Sequence, residues 1–149
     1  MILNRQREVR VARPPLESFL RRVKRELGLG RKDVTICLVS DAEMARLNEA
    51  FRKKKGPTDV LSFPADVRPA RTRPGRAVNV GTFSGELGDI AISPATARRY
   101  AKKHARTLAS ELRVLMLHGV LHLLGYDHET DRGEMDRLEQ KLRKRLGIA

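Results

Sequence analysis

The sequence predicts an α+β fold, about four strands in a mixed sheet packed with about five helices, in one domain spanning residues 1–149. Three observations carry that reading. Short apolar runs of strand length alternate with amphipathic helical stretches over the first part of the chain. Helical periodicity dominates the remainder, which is the pattern of segregated rather than strictly alternating elements. Hydrophobic residues make up 40% while aromatics are only 4% and tryptophan is absent, so the core must be aliphatic. A chain of 149 residues suits one compact domain, and no internal repeat is visible.

In order, residues 1–11 alternate loosely and end in Val9-Arg10-Val11, which predicts an edge strand. Pro14-Pro15 stops it and opens a helix over about 16–28, with Leu16, Phe19, Leu20, Val23 and Leu27 on one face and Gly28 and Gly30 ending it. Residues 33–39 read as a buried strand. Ser40 or Asp41 then caps a second helix, with Glu43 in its first turn and Met44, Leu47 and Phe51 inward. Thr58 to Pro64 reads as a strand, and 65–86, rich in proline, glycine and arginine, as a long surface loop. Leu87 to Ile92 is a further strand, and Ser93-Pro94 starts a helix to about 104. Thr107 to Leu124 is the most apolar helix, ended by Gly125. A final amphipathic helix covers about 131–146, with Met135, Leu138, Leu142 and Leu146 on its buried stripe.

The charge narrows the partners. Thirty-one Lys and Arg against eighteen Asp and Glu give +13, which favours polyanions because neutralising phosphates releases condensed counterions. Cys37 is the single cysteine, so neither an intrachain disulfide nor a cysteine-based metal cluster can form, and its apolar neighbours predict a buried inert thiol. No signal peptide and no membrane-length apolar stretch is visible, so the expected compartment is the cytoplasm and no membrane partner is expected.

The chemistry is concentrated in residues 114–125, where His118 and His122 are the only polar side chains. At i and i+4 they share one helical face, so both imidazoles can point at one ion. Burying two imidazoles without partners is costly, and a shared metal resolves the cost. Gly125 allows a left-handed turn, and His128 can return a third nitrogen from beyond the helix. Three histidines with no fourth protein ligand match a catalytic zinc site with an open position. Imidazole also suits nickel or iron, so the metal's identity is less constrained than its presence. His104, beside Lys102 and Lys103 on a polar helix, reads as an ordinary surface histidine. The spacing approaches the His-Glu-x-x-His-x-x-Gly-x-x-His pattern of zinc proteases but places Gly119 where their general-base glutamate stands. Peptidase activity is therefore disfavoured.

The run His118-Gly119-Val120-Leu121-His122-Leu123-Leu124-Gly125-Tyr126-Asp127-His128 resembles the three-histidine motif of the YbeY family of bacterial endoribonucleases. Two more segments share the resemblance: Arg52 followed by Pro57-Thr58-Asp59-Val60-Leu61-Ser62-Phe63-Pro64, and Leu87-Gly88-Asp89-Ile90-Ala91-Ile92-Ser93. The resemblance implies a zinc-dependent endonuclease for single-stranded RNA that acts in 16S ribosomal RNA 3′-end maturation and ribosome quality control, with ribosomal particles as partners and no DNA. It implies zinc on His118, His122 and His128, and a functional arginine at Arg52. Two departures stand out: the 65–86 loop is longer and more arginine-rich than is usual in the family, and the chain stops soon after the last helix.

In such a reaction a bidentate guanidinium suits the added negative charge on phosphate. No general base is obvious. Asp127, Asp89 and Asp59 are candidates by proximity, although Asp127 equally suits orienting an imidazole and the other two suit tying strand ends. Lys53, Lys54 and Lys55 together with Arg68, Arg71, Arg73 and Arg76 offer phosphate contacts, and few aromatics are available for stacking. Two other readings compete: a non-catalytic RNA-binding assembly factor with a structural zinc, and a metallohydrolase for another substrate. A zinc nucleobase deaminase is disfavoured because its ligand set needs cysteines.

Overall fold

The computed structural model describes residues 1–65, 87–127 and 129–148. It is α+β. Strands β1 (Ile2–Asn4), β2 (Val34–Leu38), β3 (Val60–Pro64) and β4 (Gly88–Ile92) form one mixed sheet in the order β1-β2-β4-β3. The first three in that order are parallel and β3 runs antiparallel along the edge, with Val60 opposite Ile92 and Pro64 opposite Gly88. The helices are α1 (Arg13–Glu26), α2 (Asp41–Arg52), α3 (Pro94–Lys103), α4 (Leu108–Leu123) and α5 (Glu134–Leu146).

Strand alternation sorts the core into two sides. Ile36, Leu38, Ile90 and Ile92 face the larger cluster, built with α1, α4 and α5 and flanked by Ala97 of α3. Cys37, Leu61 and Ala91 face Met44 and Leu47 of α2 on the other side. Burial pushes the Cys37 thiol up to about 12, with the nearby Glu43 and Asp89 charges adding to the rise and Arg5 opposing it. That thiol is inert at neutral pH, as the sequence predicts.

Several boundaries differ from the sequence reading for local reasons. The edge strand expected within residues 1–11 is present but short, Ile2–Asn4, and does not reach Val9–Val11. The Gln6 side-chain amide takes both backbone groups of Val9, at 2.9 and 2.8 Å, and so withdraws them from any ladder. Helix α1 begins before its prolines, which fit the first turn because the missing N–H groups need no partner there. It ends at Glu26, and Leu27 lies at its cap, half-buried. Helix α5 starts at Glu134 and not near 131, since the Asp131 carboxylate accepts the N–H groups of Gly133 and Met135 at 2.8 and 2.9 Å. The predicted loop lies outside the described residues from 66 to 86. Ser40, Ser93 and Thr107 cap α2, α3 and α4 through their side-chain oxygens.

One polar tie joins α2 to α3. Asp41 accepts hydrogen bonds from the Ser93 and Thr96 hydroxyls, both 2.6 Å, and from Arg99 at 2.8 Å. Burial favours the neutral acid, but these bonds and the Arg99 charge outweigh it and hold the carboxyl below its ordinary value. Because the folded pKa lies below the unfolded one, this stabilisation is complete above about pH 4 and disappears as the pH falls through the folded pKa. Asp41→Asn is expected to lower stability by roughly 1 kcal/mol at pH 7. Urea melts should show the difference from wild type shrinking below pH 4; a gap that stays constant into acid would refute the linkage.

Candidate metal centre

Helix α4 is apolar nearly all round, with Leu112, Val114, Leu115, Met116, Leu117, Val120, Leu121 and Leu123 buried. His118 and His122 interrupt it as the half-buried members of the run, one turn apart. Their rings stand at 76° with centroids 4.6 Å apart, and their Nε2 atoms face each other at 3.0 Å. Two nitrogens held about 2.05 Å from a tetrahedral zinc lie roughly 3.3 Å apart, so this separation is close to what a shared ion needs. Without an ion the same contact serves as an N–H···N hydrogen bond.

The other nitrogen of His118 decides its tautomer. His118 Nδ1 lies 3.0 Å from Glu139 Oε1 of α5, and Glu139 is buried and pairs further with Arg143 at 3.3 Å. A carboxylate there takes the Nδ1–H, which leaves the Nε2 lone pair directed at the space beside His122. A carboxylate behind an imidazole is the usual support of a metal-binding histidine, so the donor set fits a divalent ion. The His118 side chain keeps 28% of its surface exposed, which gives an ion and a substrate access. His128, the third predicted donor, lies outside the described residues. Among those described, no group of three His, Cys, Asp or Glu side chains suited to a metal is present.

The turn that leads to His128 is described. Gly125, at φ 98°, donates to His122 O at 3.0 Å, and Tyr126 N–H donates to Leu121 O at 3.1 Å. This pair of bonds closes the helix through a left-handed residue and reverses the chain beside the last turn.

Gly119 has a packing reason. A Cβ there would stand 2.9 Å from both Cγ2 and Cδ1 of Ile90, a fully buried residue of β4. The backbone of α4 thus lies directly on the sheet at this point, and Ser62 Oγ of β3 donates to Gly119 O at 3.1 Å. A protease-type glutamate has no room at this position.

The remaining predicted residues fall in different places. Arg52 ends α2 and is exposed, followed by exposed Lys53, Lys54 and Lys55 at the approach to β3. Helix α2 packs on the sheet face opposite α4. Asp89 is 1% exposed and points with Ala91 toward the α2 side, away from α4. Asp59 is half-buried just before β3, its carbonyl accepting Ser93 N–H at 3.0 Å. Asp127 lies in the turn after α4, its carboxylate accepting Glu129 N–H at 3.0 Å. Arg68, Arg71, Arg73 and Arg76 lie outside the described residues. Glu139 escaped the sequence reading. Its signal was its position, four residues after Met135 and three before Leu142, a carboxylate on an otherwise apolar stripe.

A family model described as endoribonuclease YbeY matches residues 1–147. The endoribonuclease YbeY of Solibacter usitatus is 46% identical over 136 residues, covering 91% of this chain and 80% of that one. That of Koribacter versatilis is 42% identical over 148 residues, covering 99% and 86%. The solution structure of TM1509 from Thermotoga maritima superposes with a TM-score of 0.61 at 28% identity, covering 98% of this chain and 89% of the other. With a match over nearly its whole length, the chain belongs to the YbeY family of endoribonucleases.

Proposed function

We propose that this protein is a zinc-dependent endoribonuclease that hydrolyses single-stranded RNA, acting in 16S ribosomal RNA 3′-end maturation and ribosome quality control on ribosomal particles in the cytoplasm. The observation that carries the reading is the convergence of the His118 and His122 Nε2 atoms, with Glu139 fixing one ring from behind. His128 is the third proposed ligand. Together they would hold the zinc ion, which would supply Lewis acidity toward a phosphoryl oxygen and a water acidified to a pKa of about 7.

The chain's own residues supply the rest. Glu139 holds the His118 tautomer, and the apolar body of α4 keeps the two rings in register. Arg52 reaches phosphate oxygens as charge grows on them, and Lys53, Lys54 and Lys55 bind neighbouring phosphates. Among the described residues no helix is long and apolar enough to cross a membrane, in keeping with a substrate met in solution.

The decisive experiment pairs metal analysis with cleavage of single- and double-stranded RNA before and after chelation. Loss of cleavage with the fold retained supports the enzyme; unfolding on chelation without any prior activity supports a structural zinc instead. Arg52→Ala should retain zinc while kcat falls about 10²–10³-fold, the usual cost of removing one charge-stabilising donor. Unchanged turnover would remove Arg52 from the mechanism. Glu139→Gln cannot accept the Nδ1–H as a carboxylate does, and zinc affinity should drop about 10–100-fold in competition with a chromogenic chelator. Wild-type affinity in that variant would leave Glu139 with a packing role only.

A further inference from the structure

Tyr100, in the second half of α3, is 42% exposed, and with Met1 it is one of two large hydrophobic side chains left exposed among the described residues. The other described aromatics, Phe19, Phe51, Phe63 and Tyr126, are buried or half-buried. Leaving a ring in water forgoes the burial that aromatics otherwise contribute to a core, so the exception needs a reason.

The surroundings of Tyr100 are specific. His104, one turn on, lies with its ring centroid 6.5 Å away and its plane at 30°. Its Nδ1 bonds the Tyr100 carbonyl at 2.9 Å, which holds the imidazole beside the phenol. Helix α3 contains no acidic residue, and Arg98, Lys102 and Lys103 are all exposed on it. Its fourth cation, Arg99, is bound to Asp41, and Arg106 beyond the turn is bound to Glu111. Two rings inclined at 30° therefore stand beside Lys103, three residues on from Tyr100, while Arg98 and Lys102, each two residues away, project elsewhere around the helix.

Resting on the endoribonuclease reading above, we infer that Tyr100 and His104 form a stacking platform for an unpaired RNA base, with Lys103 taking a flanking phosphate and the other exposed cations of α3 adding a general attraction for the strand. Aromatic faces accept any base, and cations beside them track the backbone, which is the chemistry of sequence-tolerant single-strand binding. A protein partner fits less well, because an interface core needs several apolar side chains and no other large one is exposed here among the described residues. The platform is remote from the histidines: α4 begins just beyond α3, and His118 lies roughly 15 Å along it from Leu108 at about 1.5 Å per residue. It binds a strand that extends past the metal centre and takes no part in bond cleavage.

Because the chain lacks tryptophan, Tyr100→Trp creates a single reporter at the platform. Its fluorescence should be quenched by a single-stranded oligonucleotide and hardly by a duplex of equal length. Tyr100→Ala should bind a single strand of about a dozen nucleotides roughly 5–150-fold more weakly, the span expected for one lost base stack. Tyr100→Phe should bind like wild type, and turnover of a dinucleotide should be unchanged in all three variants. Wild-type affinity in Tyr100→Ala, or a reporter that responds to polyglutamate and not to RNA, would overturn the platform. If the wild-type chain binds and cleaves single-stranded RNA while Tyr100→Ala is indistinguishable from it, only this inference fails. If wild type does neither, the endoribonuclease reading fails with it.

Discussion

His122→Ala is expected to lose bound metal and RNA cleavage together while keeping its fold. His122 supplies one of the two nitrogens seen to converge, so its removal takes away half of that pair. A lost ligand must weaken binding by more than the roughly 10–100-fold attached to an outer partner such as Glu139. After dialysis the variant should carry background zinc and show background cleavage. The helix itself should persist, because His122 is only half-buried and alanine is the strongest helix former. Full zinc occupancy in folded His122→Ala would contradict the proposed centre outright.

Gly119→Glu should collapse the fold and not create a peptidase. The substitution restores the residue that a zinc protease carries between its first two histidines, yet the position faces the sheet. Even a methyl group would press on Ile90 at 2.9 Å. Ile90 Cγ2 is attached at the branch point and cannot swing away without changing χ1 of a fully buried residue. Overpacking of this kind costs about 1–3 kcal/mol, so Gly119→Ala should melt roughly 2–12 °C lower. Glutamate adds a carboxylate forced into the same apolar layer, and soluble folded protein should be largely lost. Gly119→Ala melting at the wild-type temperature would show that the helix can lift off the sheet freely.

These two residues also mark what the sequence reveals and what it hides. The paired histidines are legible because they are polar interruptions at helical spacing in an apolar run, a pattern that depends on nothing distant. The mixed sheet and five helices are legible from periodicity in the same way. In the sequence Gly119 shows only as a missing base; its packing role depends on which strand residue lies beneath it, and Ile90 is far away in sequence. Glu139 was hidden for a related reason. On a helix rich in Lys, Arg and Glu, one more glutamate looks like a solvated charge until α5 is laid against α4 and it meets His118. The edge strand within residues 1–11 stops short of Val9–Val11 because alternation signals a strand only where backbone groups can pair, and Gln6 takes those of Val9.

The location of His118 and His122 in the final two turns of α4 has an electrical consequence. The peptide dipoles of a helix add up to about half a negative charge at its carboxyl end, so that end attracts cations and repels phosphate. A phosphate brought to this helix end would meet a locally unfavourable field, which a dication held on the imidazoles, as proposed, would reverse. Metal loading should therefore govern where the nucleic acid rests on this surface as well as whether it is cut.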